Sequence, residues 1–166
     1  LIRVVIGTIF SLTVQFLAAY ALSQRNLVGK NWFLLFFIIP MFFNGGLIPT
    51  YMVVRYLGLR DNILALILPG AVPVYFMILL MNFFRELPQE IEEAAYIDGA
   101  GYWTSLWKIY IPLSKPALAT VTLFIVVGHW NSWFDGLIYM NSMENYPLQS
   151  YLQTTVIGVD FNRASL

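Results

Sequence analysis

The sequence predicts an all-α fold, a polytopic bundle of transmembrane helices, and three observations support that prediction. Of the 166 residues, 59% are hydrophobic and 11% are charged, whereas about 25% of an ordinary soluble domain is charged. The apolar residues collect into four runs, each with the ~20 residues that a helix needs to cross roughly 30 Å of hydrocarbon. The runs are apolar on every side, whereas membrane strands alternate apolar and polar residues.

The first two predicted spans cover residues 4–24 and 31–54, and basic residues bound each of these uncharged runs. Both are expected to be helical, because a helix satisfies its own backbone hydrogen bonds in lipid. The second run also contains helix breakers, namely Pro40, the segment Asn44-Gly45-Gly46 and Pro49. Proline removes a backbone hydrogen bond and paired glycines loosen a helix, so a bend is predicted here.

The third predicted span, residues 62–84, carries Pro69-Gly70 and Pro73 and is expected to bend as well. Two interpretations of these bends stay open. They are either packing kinks of the kind that membrane helices often contain, or they line a path across the membrane and let it open and close.

Residues 85–115 form a long hydrophilic loop that is predicted to begin with a helix. Pro88 suits the first helical position, and the glutamates that follow it are favoured by the helix dipole in the early turns. The segment from Gly99 to Gly101 is expected to end this helix. The loop holds five of the nine acidic residues of the chain: Glu86, Glu90, Glu92, Glu93 and Asp98.

A second, amphipathic helix is predicted after Gly101, and Pro112 is expected to end it. Tryptophan and tyrosine on one face are typical of a helix that lies at the level of the lipid headgroups. The residues whose spacing places them on that face are Tyr102, Trp103, Leu106, Trp107 and Tyr110.

The loop resembles the Glu-Ala-Ala loop of the permeases of binding-protein-dependent ABC importers. That pattern is Glu-Ala-Ala, three residues, Gly, nine residues, Ile, one residue, Leu and Pro, and here Ile111 stands in the leucine position. The residues in register are Glu93, Ala94, Ala95, Gly99, Ile109 and Pro112. The segments FNGGLIPTYMVVRYLGL at 43–59 and GHWNSWFDGLIYM at 128–140 are similar to the carbohydrate branch, which includes the smaller maltose permease and permeases for oligosaccharides.

This resemblance implies a single transmembrane permease domain over residues 1–166 that is incomplete at both ends. It would hold the second to the fifth of six membrane helices. Residues 85–115 would lie in the cytoplasm, where the 93–112 segment would form a coupling helix that docks in a cleft of a separate ATPase. Glu93 would pair with a basic residue of that ATPase.

The resemblance also implies the partners and the location of the protein. The expected partners are a second permease subunit, two cytoplasmic ATPase subunits, an external solute-binding protein and membrane lipid. The expected location is the bacterial cytoplasmic (inner) membrane, crossed several times. The imported solute would be a sugar or an oligosaccharide, whose identity the sequence does not give.

The fourth predicted span, residues 116–140, is interrupted only by Asp135, and it carries polar residues deep in the bilayer. Counted from Lys115 at 1.5 Å per residue, His129 lies about 21 Å deep and Asn131 about 24 Å deep. Such groups usually face a cavity or a partner, and aromatic faces beside polar groups suit a sugar. Asn44, in the second predicted span, lies at a similar depth when it is counted from Lys30. The candidate solute pathway therefore consists of Asn44, His129, Trp130, Asn131 and Trp133.

A plainer interpretation of the fourth span stays open. His129 would then hydrogen-bond to a neighbouring helix, the tryptophans would anchor the membrane interface, and Asp135 would be solvated by water. The polar residues 141–166 that follow are assigned to an external loop.

Nucleic-acid binders and enzymes need residues of kinds that are few in this sequence. The net charge of zero offers no basic field for nucleic acid, and the chain has no cysteine for thiol chemistry or metal binding. The single histidine, and acidic residues that form no second ligand cluster outside the loop, predict no catalytic site, no metal and no cofactor.

ATP hydrolysis is assigned to a partner, because the chain has no G-x-x-x-x-G-K-[ST] loop. The alternative function is an ion-gradient-driven secondary transporter or channel subunit, which also uses broken helices and intramembrane polar groups. A membrane enzyme and a purely structural assembly subunit have less support.

Overall fold

The structure is a computed structural model that describes residues 1–43 and 45–164, so Asn44 and residues 165–166 lie outside the described part. All regular secondary structure in those two ranges is helical, as the sequence predicts. The helices are α1 (Ile2–Ser23), α2 (Lys30–Phe42), α3 (Leu47–Tyr56), α4 (Ile63–Ile67), α5 (Val74–Glu86), α6 (Gln89–Ile97), α7 (Tyr102–Ser105), α8 (Ile111–Leu113), α9 (Lys115–Asn131), α10 (Phe134–Tyr139) and α11 (Leu148–Ala164).

Among the described residues, α1 alone is long and apolar enough to cross a membrane as one unbroken helix. Up to four spans are reached, by length and composition, if each bent pair of helices counts as one span. The pairs are α2 with α3, Ile63–Gly70 with α5, and Tyr102–Leu113 with α9.

Helix breakers in the second and third runs stand at or beside helix ends. The helix α2 continues two residues past Pro40 to Phe42, and Gly46 precedes α3 with a φ of 83°, a left-handed conformation that favours glycine. A 3-10 turn over Leu68–Gly70 follows α4, and Pro73 precedes α5. The predicted interruptions are therefore present at these positions.

The fourth run is also interrupted, at a place that the sequence analysis did not predict. The helix α9 ends at Asn131 and α10 begins at Phe134, with neither proline nor glycine between them. The Ser132 hydroxyl donates to the Asp135 carboxylate at 2.5 Å. A local side-chain bond of this kind competes with a continuing helix and favours a new helix start.

Residues 141–166, predicted as an external loop, are largely helical where they are described. A 3-10 turn covers Met143–Asn145 and α11 covers Leu148–Ala164. Pro147 stands just before α11, where its fixed φ suits a helix start, and its carbonyl accepts a hydrogen bond from the Tyr151 amide at 3.0 Å. The sequence pattern hid this helix because its Ser and Thr residues are also typical of turns.

The chain divides into two compact units by its contacts. The first unit comprises Leu1–Phe10, Gly45–Ala71 and Ile125–Leu166. Its buried apolar cluster joins α3, α4 and the end of α10, and consists of Val54, Ala65, Leu66, Tyr139 and Met140.

The second unit comprises Ser11–Asn44 and Val72–Phe124, and its core contains four aromatic rings, here called the aromatic cluster. Perpendicular ring contacts link its members in the order Phe16, Phe84, Tyr110 and Tyr20, with centroid separations of 5.3, 5.5 and 4.8 Å. Such edge-to-face pairs add about 0.5–1.5 kcal/mol each beyond their buried area. The cluster joins α1, α5 and the loop that follows α6.

Candidate functional site

The helix α6 lies at the start of the predicted coupling loop, and proline separates it from α5. Leu87 has extended backbone (φ −65°, ψ 139°), as expected for a residue before proline. Pro88 is the N-cap of α6, one residue before the predicted position. Glu90 and Glu92 lie in the first turn, where the positive end of the helix dipole favours carboxylates.

The end of α6 explains the spacing between Ala95 and Gly99. The Gly99 amide donates to the Tyr96 carbonyl at 3.0 Å and the Ala100 amide donates to the Ala95 carbonyl at 2.9 Å. These two bonds form a Schellman motif, which requires a left-handed residue at Gly99, and its φ is 79°. The apolar contact that usually closes this motif involves the positions of Ala95 and Ala100, both half-buried.

One surface of α6, here called the α6 surface, is open to solvent and consists of Glu93, Ala94, Tyr96 and Ile97. Tyr96 is 80% and Ile97 84% exposed, so two adjacent large side chains are open to solvent. The alanine methyl lets another backbone approach closely. A groove of about 510 Å³ runs beside this surface, lined by Gln24, Arg25, Asn26, Glu92, Glu93, Tyr96, Ile97 and Tyr102.

Glu92 differs from its neighbour Glu93 because it is half-buried and has a partner within the chain. The Tyr110 hydroxyl donates to Glu92 Oε2 at 2.9 Å. Burial, followed by this hydrogen bond, raises the pKa of Tyr110 above its usual range. The phenol therefore stays protonated at physiological pH and remains the donor.

The five residues predicted to share one face of the second loop helix differ in burial. Leu106 and Tyr110 are buried, whereas Tyr102, Trp103 and Trp107 are exposed. The helix has α-helical conformation only from Tyr102 to Ser105 and then a π-helical turn over Leu106–Tyr110. A π turn changes the angular spacing of the residues within it, here from Leu106 to Tyr110.

The last two motif residues lie near the end of this helix. Ile109 is half-buried in the π turn, and Pro112 is exposed within α8. The expectation that Pro112 ends the helix is wrong by one residue, since α8 continues to Leu113.

The candidate pathway residues are only partly brought together. His129 packs against α1: a Cβ atom added to Gly7 would lie 2.8 Å from the imidazole, and the imidazole hydrogen-bonds to the Gly7 backbone. Trp130, Asn131 and Trp133 are exposed, and Asn44 lies outside the described residues. The pocket at His129 holds about 30 Å³, room for about one water molecule.

Asp135 is not simply solvated by water, so that expectation is wrong. Its carboxylate forms an ion pair with Arg3 at 2.5 Å, and Arg3 is only 7% exposed. The same guanidinium donates to the Ser132 carbonyl at 2.8 Å. Sequence reasoning missed this pair because the two residues are 132 positions apart.

Sequence reasoning also missed Tyr110 as a partner of Glu92. Eighteen residues separate them, and both lie in segments that were assigned to separate helices. The only available signal was the burial pattern: a tyrosine among apolar residues needs a polar partner for its hydroxyl when buried. Among the described residues, no group of three His, Asp or Glu side chains could hold a metal ion.

Comparisons with known proteins agree on one family. Residues 5–164 match the family described as "Binding-protein-dependent transport system inner membrane component". The chain is 46% identical to Protein LplC of Bacillus subtilis (strain 168) over 156 residues, covering 94% of this chain and 53% of that protein. It is also 42% identical to the polygalacturonan/rhamnogalacturonan transport system permease protein YtcP of the same strain, covering 92% of this chain and 54% of that protein.

A solved structure supports the same relationship. It is a crystal structure of a bacterial ABC transporter involved in the import of the acidic polysaccharide alginate. The match has a TM-score of 0.86 at 35% identity and covers 98% of this chain and 61% of that chain. The chain thus spans about half the length of the two curated relatives.

Proposed function

Because this chain belongs to the family of binding-protein-dependent transport system inner membrane components, we propose that the full-length protein is the permease subunit of an ATP-driven importer. The observation that carries the proposal is the α6 surface. It presents Glu93 and Ala94 to solvent on a short helix that ends at the left-handed Gly99. A matched motif and an exposed apolar helix surface are both explained by docking to a cytoplasmic ATPase.

The α6 surface is suited to such docking in both shape and charge. The small Ala94 allows a close approach of the partner, while Tyr96 and Ile97 supply apolar area that is removed from water on binding. The exposed Glu93 carboxylate would then pair with a basic residue of the ATPase. Truncating one member of such an interfacial pair typically costs roughly 2–5 kcal/mol.

The proposed assembly contains this permease, a second permease, two ATPase subunits and an external solute-binding protein. A second permease is needed because helices in the number expected here do not enclose a path for a large solute. Receptor binding outside and ATP binding inside would each favour one of two conformations of the permease pair, which is how a ligand shifts an equilibrium between states.

The proposed solute class is a sugar or an oligosaccharide. The permease for polygalacturonan/rhamnogalacturonan and the transporter for alginate are both similar to this chain. We place the exposed Trp130, Asn131 and Trp133 on the solute path, because aromatic faces beside amide groups bind sugars by stacking and hydrogen bonding. His129 and Asn44 complete the proposed path, and the contact of His129 with Gly7 suits a residue that orients α9.

The experiment compares wild type with Glu93→Ala in the full assembly. The permease, its neighbouring permease and the ATPase are co-purified, placed in liposomes and tested for ATP hydrolysis with and without receptor and candidate oligosaccharides. We expect receptor and sugar to stimulate the wild-type ATPase, and Glu93→Ala to lose most of that stimulation. Glu144→Ala is the control, since Glu144 is an exposed acid in a separate segment of the chain.

Two outcomes would contradict the proposal. Solute uptake driven by an ion gradient without a co-purifying ATPase would favour a secondary transporter instead. Equal loss of stimulation in Glu93→Ala and Glu144→Ala would show that the α6 surface has no special part in coupling. For the solute path, His129→Ala and Asn131→Ala should alter uptake rate or solute preference, and unchanged values would remove them from the path.

A further inference from the structure

We propose that Glu92 and Tyr110 are positioning residues that fix the coupling helix α6 to the membrane helices, so that movement imposed on α6 reaches α1 and α5. This inference rests on the proposed function, because it concerns how docking at α6 is transmitted. It assigns opposite roles to two neighbouring glutamates: Glu93 would face the partner, and Glu92 faces inward. Their burial differs accordingly, with Glu93 exposed and Glu92 half-buried.

A direct hydrogen bond joins Tyr110 to Glu92. The Tyr110 hydroxyl donates to Glu92 Oε2 at 2.9 Å, within the normal range for a hydrogen bond. The acceptor is a carboxylate oxygen, and hydrogen bonds to carboxylates are among the stronger ones in proteins. The bond is part-buried, and Glu92 is half-buried beside the four exposed residues of the α6 surface, so a partner can bind those residues without taking the place of Tyr110.

The Tyr110 ring is held in place by neighbouring aromatic rings. Its ring is buried and meets Tyr20 of α1 and Phe84 of α5 edge to face, with centroids 4.8 and 5.5 Å away. Phe84 in turn meets Phe16 one turn earlier on α1. A ring held from two sides in this way has little rotational freedom, so the direction of its hydroxyl is fixed by the aromatic cluster.

The segments before and after α6 both form hydrogen bonds with the same end of α1. The Tyr20 hydroxyl donates to the Tyr102 carbonyl at 2.9 Å, at the start of α7. The Arg85 guanidinium, near the end of α5, donates to the Leu22 carbonyl at 3.3 Å. The segments before and after α6 are therefore both hydrogen-bonded to this end of α1, and the hydrogen bond from Tyr110 adds a direct contact with α6 itself.

The π-helical turn is what allows this arrangement. Leu106 and Tyr110 form its two ends and are both buried, whereas Trp107 and Lys108 between them are exposed. Such turns are rare in proteins overall, but those that occur are often found at functional sites. Here the turn directs the Tyr110 ring into the aromatic cluster while the phenol oxygen still reaches α6.

The test separates positioning from simple stability by measuring coupling. Tyr110→Phe keeps the ring in the aromatic cluster and removes only the hydroxyl. In liposomes with the complete transporter, we expect the amount of solute moved per ATP hydrolysed to fall roughly tenfold, the size that losing one hydrogen bond to a charged group supports. ATPase co-purification should stay at the wild-type level, and the melting temperature in detergent should fall by no more than the few degrees that losing one hydrogen bond explains.

Further variants make the result decisive. Glu92→Gln keeps an acceptor oxygen and should retain part of the coupling, whereas Glu92→Ala should match Tyr110→Phe. The double variant Glu92→Ala/Tyr110→Phe should be no worse than either single variant, because both remove the same bond. Tyr56→Phe is the control, since Tyr56 is 90% exposed on α3.

The outcomes distinguish this inference from the proposed function. Wild-type coupling in Tyr110→Phe and Glu92→Ala, in a transporter that couples ATP to uptake, would overturn the positioning role alone. Additive losses in the double variant would also overturn it. If the unaltered permease neither binds an ATPase nor responds to ATP, the proposed function fails first. If Tyr110→Phe does not reach the membrane, the solute moved per ATP is measured in Glu92→Ala instead, because Glu92 is only half-buried. A wild-type value in that variant would overturn the positioning role.

Discussion

Removing Asp135 should destabilise the protein more than removing its partner Arg3, because the two side chains differ in burial. Arg3 is 7% exposed and the Asp135 side chain 36%. The Arg3 Nε atom is buried and lacks a hydrogen-bond partner in the structure. Asp135→Ala would leave the guanidinium with the Ser132 carbonyl as its remaining acceptor.

The size of the effect follows from that asymmetry. Breaking a buried ion pair by truncating one partner costs about 3–5 kcal/mol, and the partial exposure of Asp135 places Asp135→Ala near the lower end. Arg3→Met fills a similar volume and leaves a carboxylate that water and Ser132 can still solvate. Its cost should be about 1 kcal/mol, the upper limit for solvent-exposed pairs. The double variant should therefore be more stable than Asp135→Ala alone.

Unfolding of the purified full-length protein in mixed micelles, followed by tryptophan fluorescence during titration with a denaturing detergent, measures these differences. Arg55→Met is the matched control, because Arg55 is an exposed arginine on α3. If Asp135→Ala unfolded at the same detergent fraction as the control, or if the double variant were the least stable of the set, the burial of Arg3 would not control the stability of this pair.

Three further predictions concern backbone and packing. Gly99→Ala should destabilise the end of α6 by about 1–2 kcal/mol, the cost of a left-handed conformation in an L-residue, and faster proteolysis after α6 would report it. Gly7→Ala should destabilise by about 1–3 kcal/mol through overpacking against His129, and adding His129→Ala should recover stability in the same unfolding titration. Asp61 has a φ of 58° and accepts two hydrogen bonds; Asp61→Ala should therefore lower the melting temperature more than Asp61→Asn, which keeps an acceptor. Equal values for the last two variants would contradict this role.

The sequence predicted the features that depend on local chemistry. Uncharged runs of spanning length gave the all-α class, since lipid leaves a backbone few alternatives to the helix. The positions of Pro88 and Gly99 placed the ends of α6 to within about a residue, because a fixed φ and a left-handed turn are properties of single residues.

The features that the sequence missed depend on contacts between distant residues. No periodicity shows that Arg3 meets Asp135 or that Tyr110 meets Glu92, since each partner has an ordinary local explanation. The sequence prediction assumed a regular α-helical angle per residue, which placed Leu106 and Trp107 on one face. The π turn over Leu106–Tyr110 does not have that angle. The break after Asn131 depends on a Ser132 hydroxyl whose choice of acceptor is visible only in three dimensions.

Docking of the α6 surface on a cytoplasmic ATPase can be tested by site-specific cross-linking. The described chain has no cysteine, so in a cysteine-free full-length background Ala94→Cys can carry one photoactivatable label, with Met143→Cys as an exposed control. We expect an ATPase cross-link from position 94 whose yield changes when ATP is added, and none from position 143. A label at position 94 that reaches no ATPase in an active transporter would contradict it.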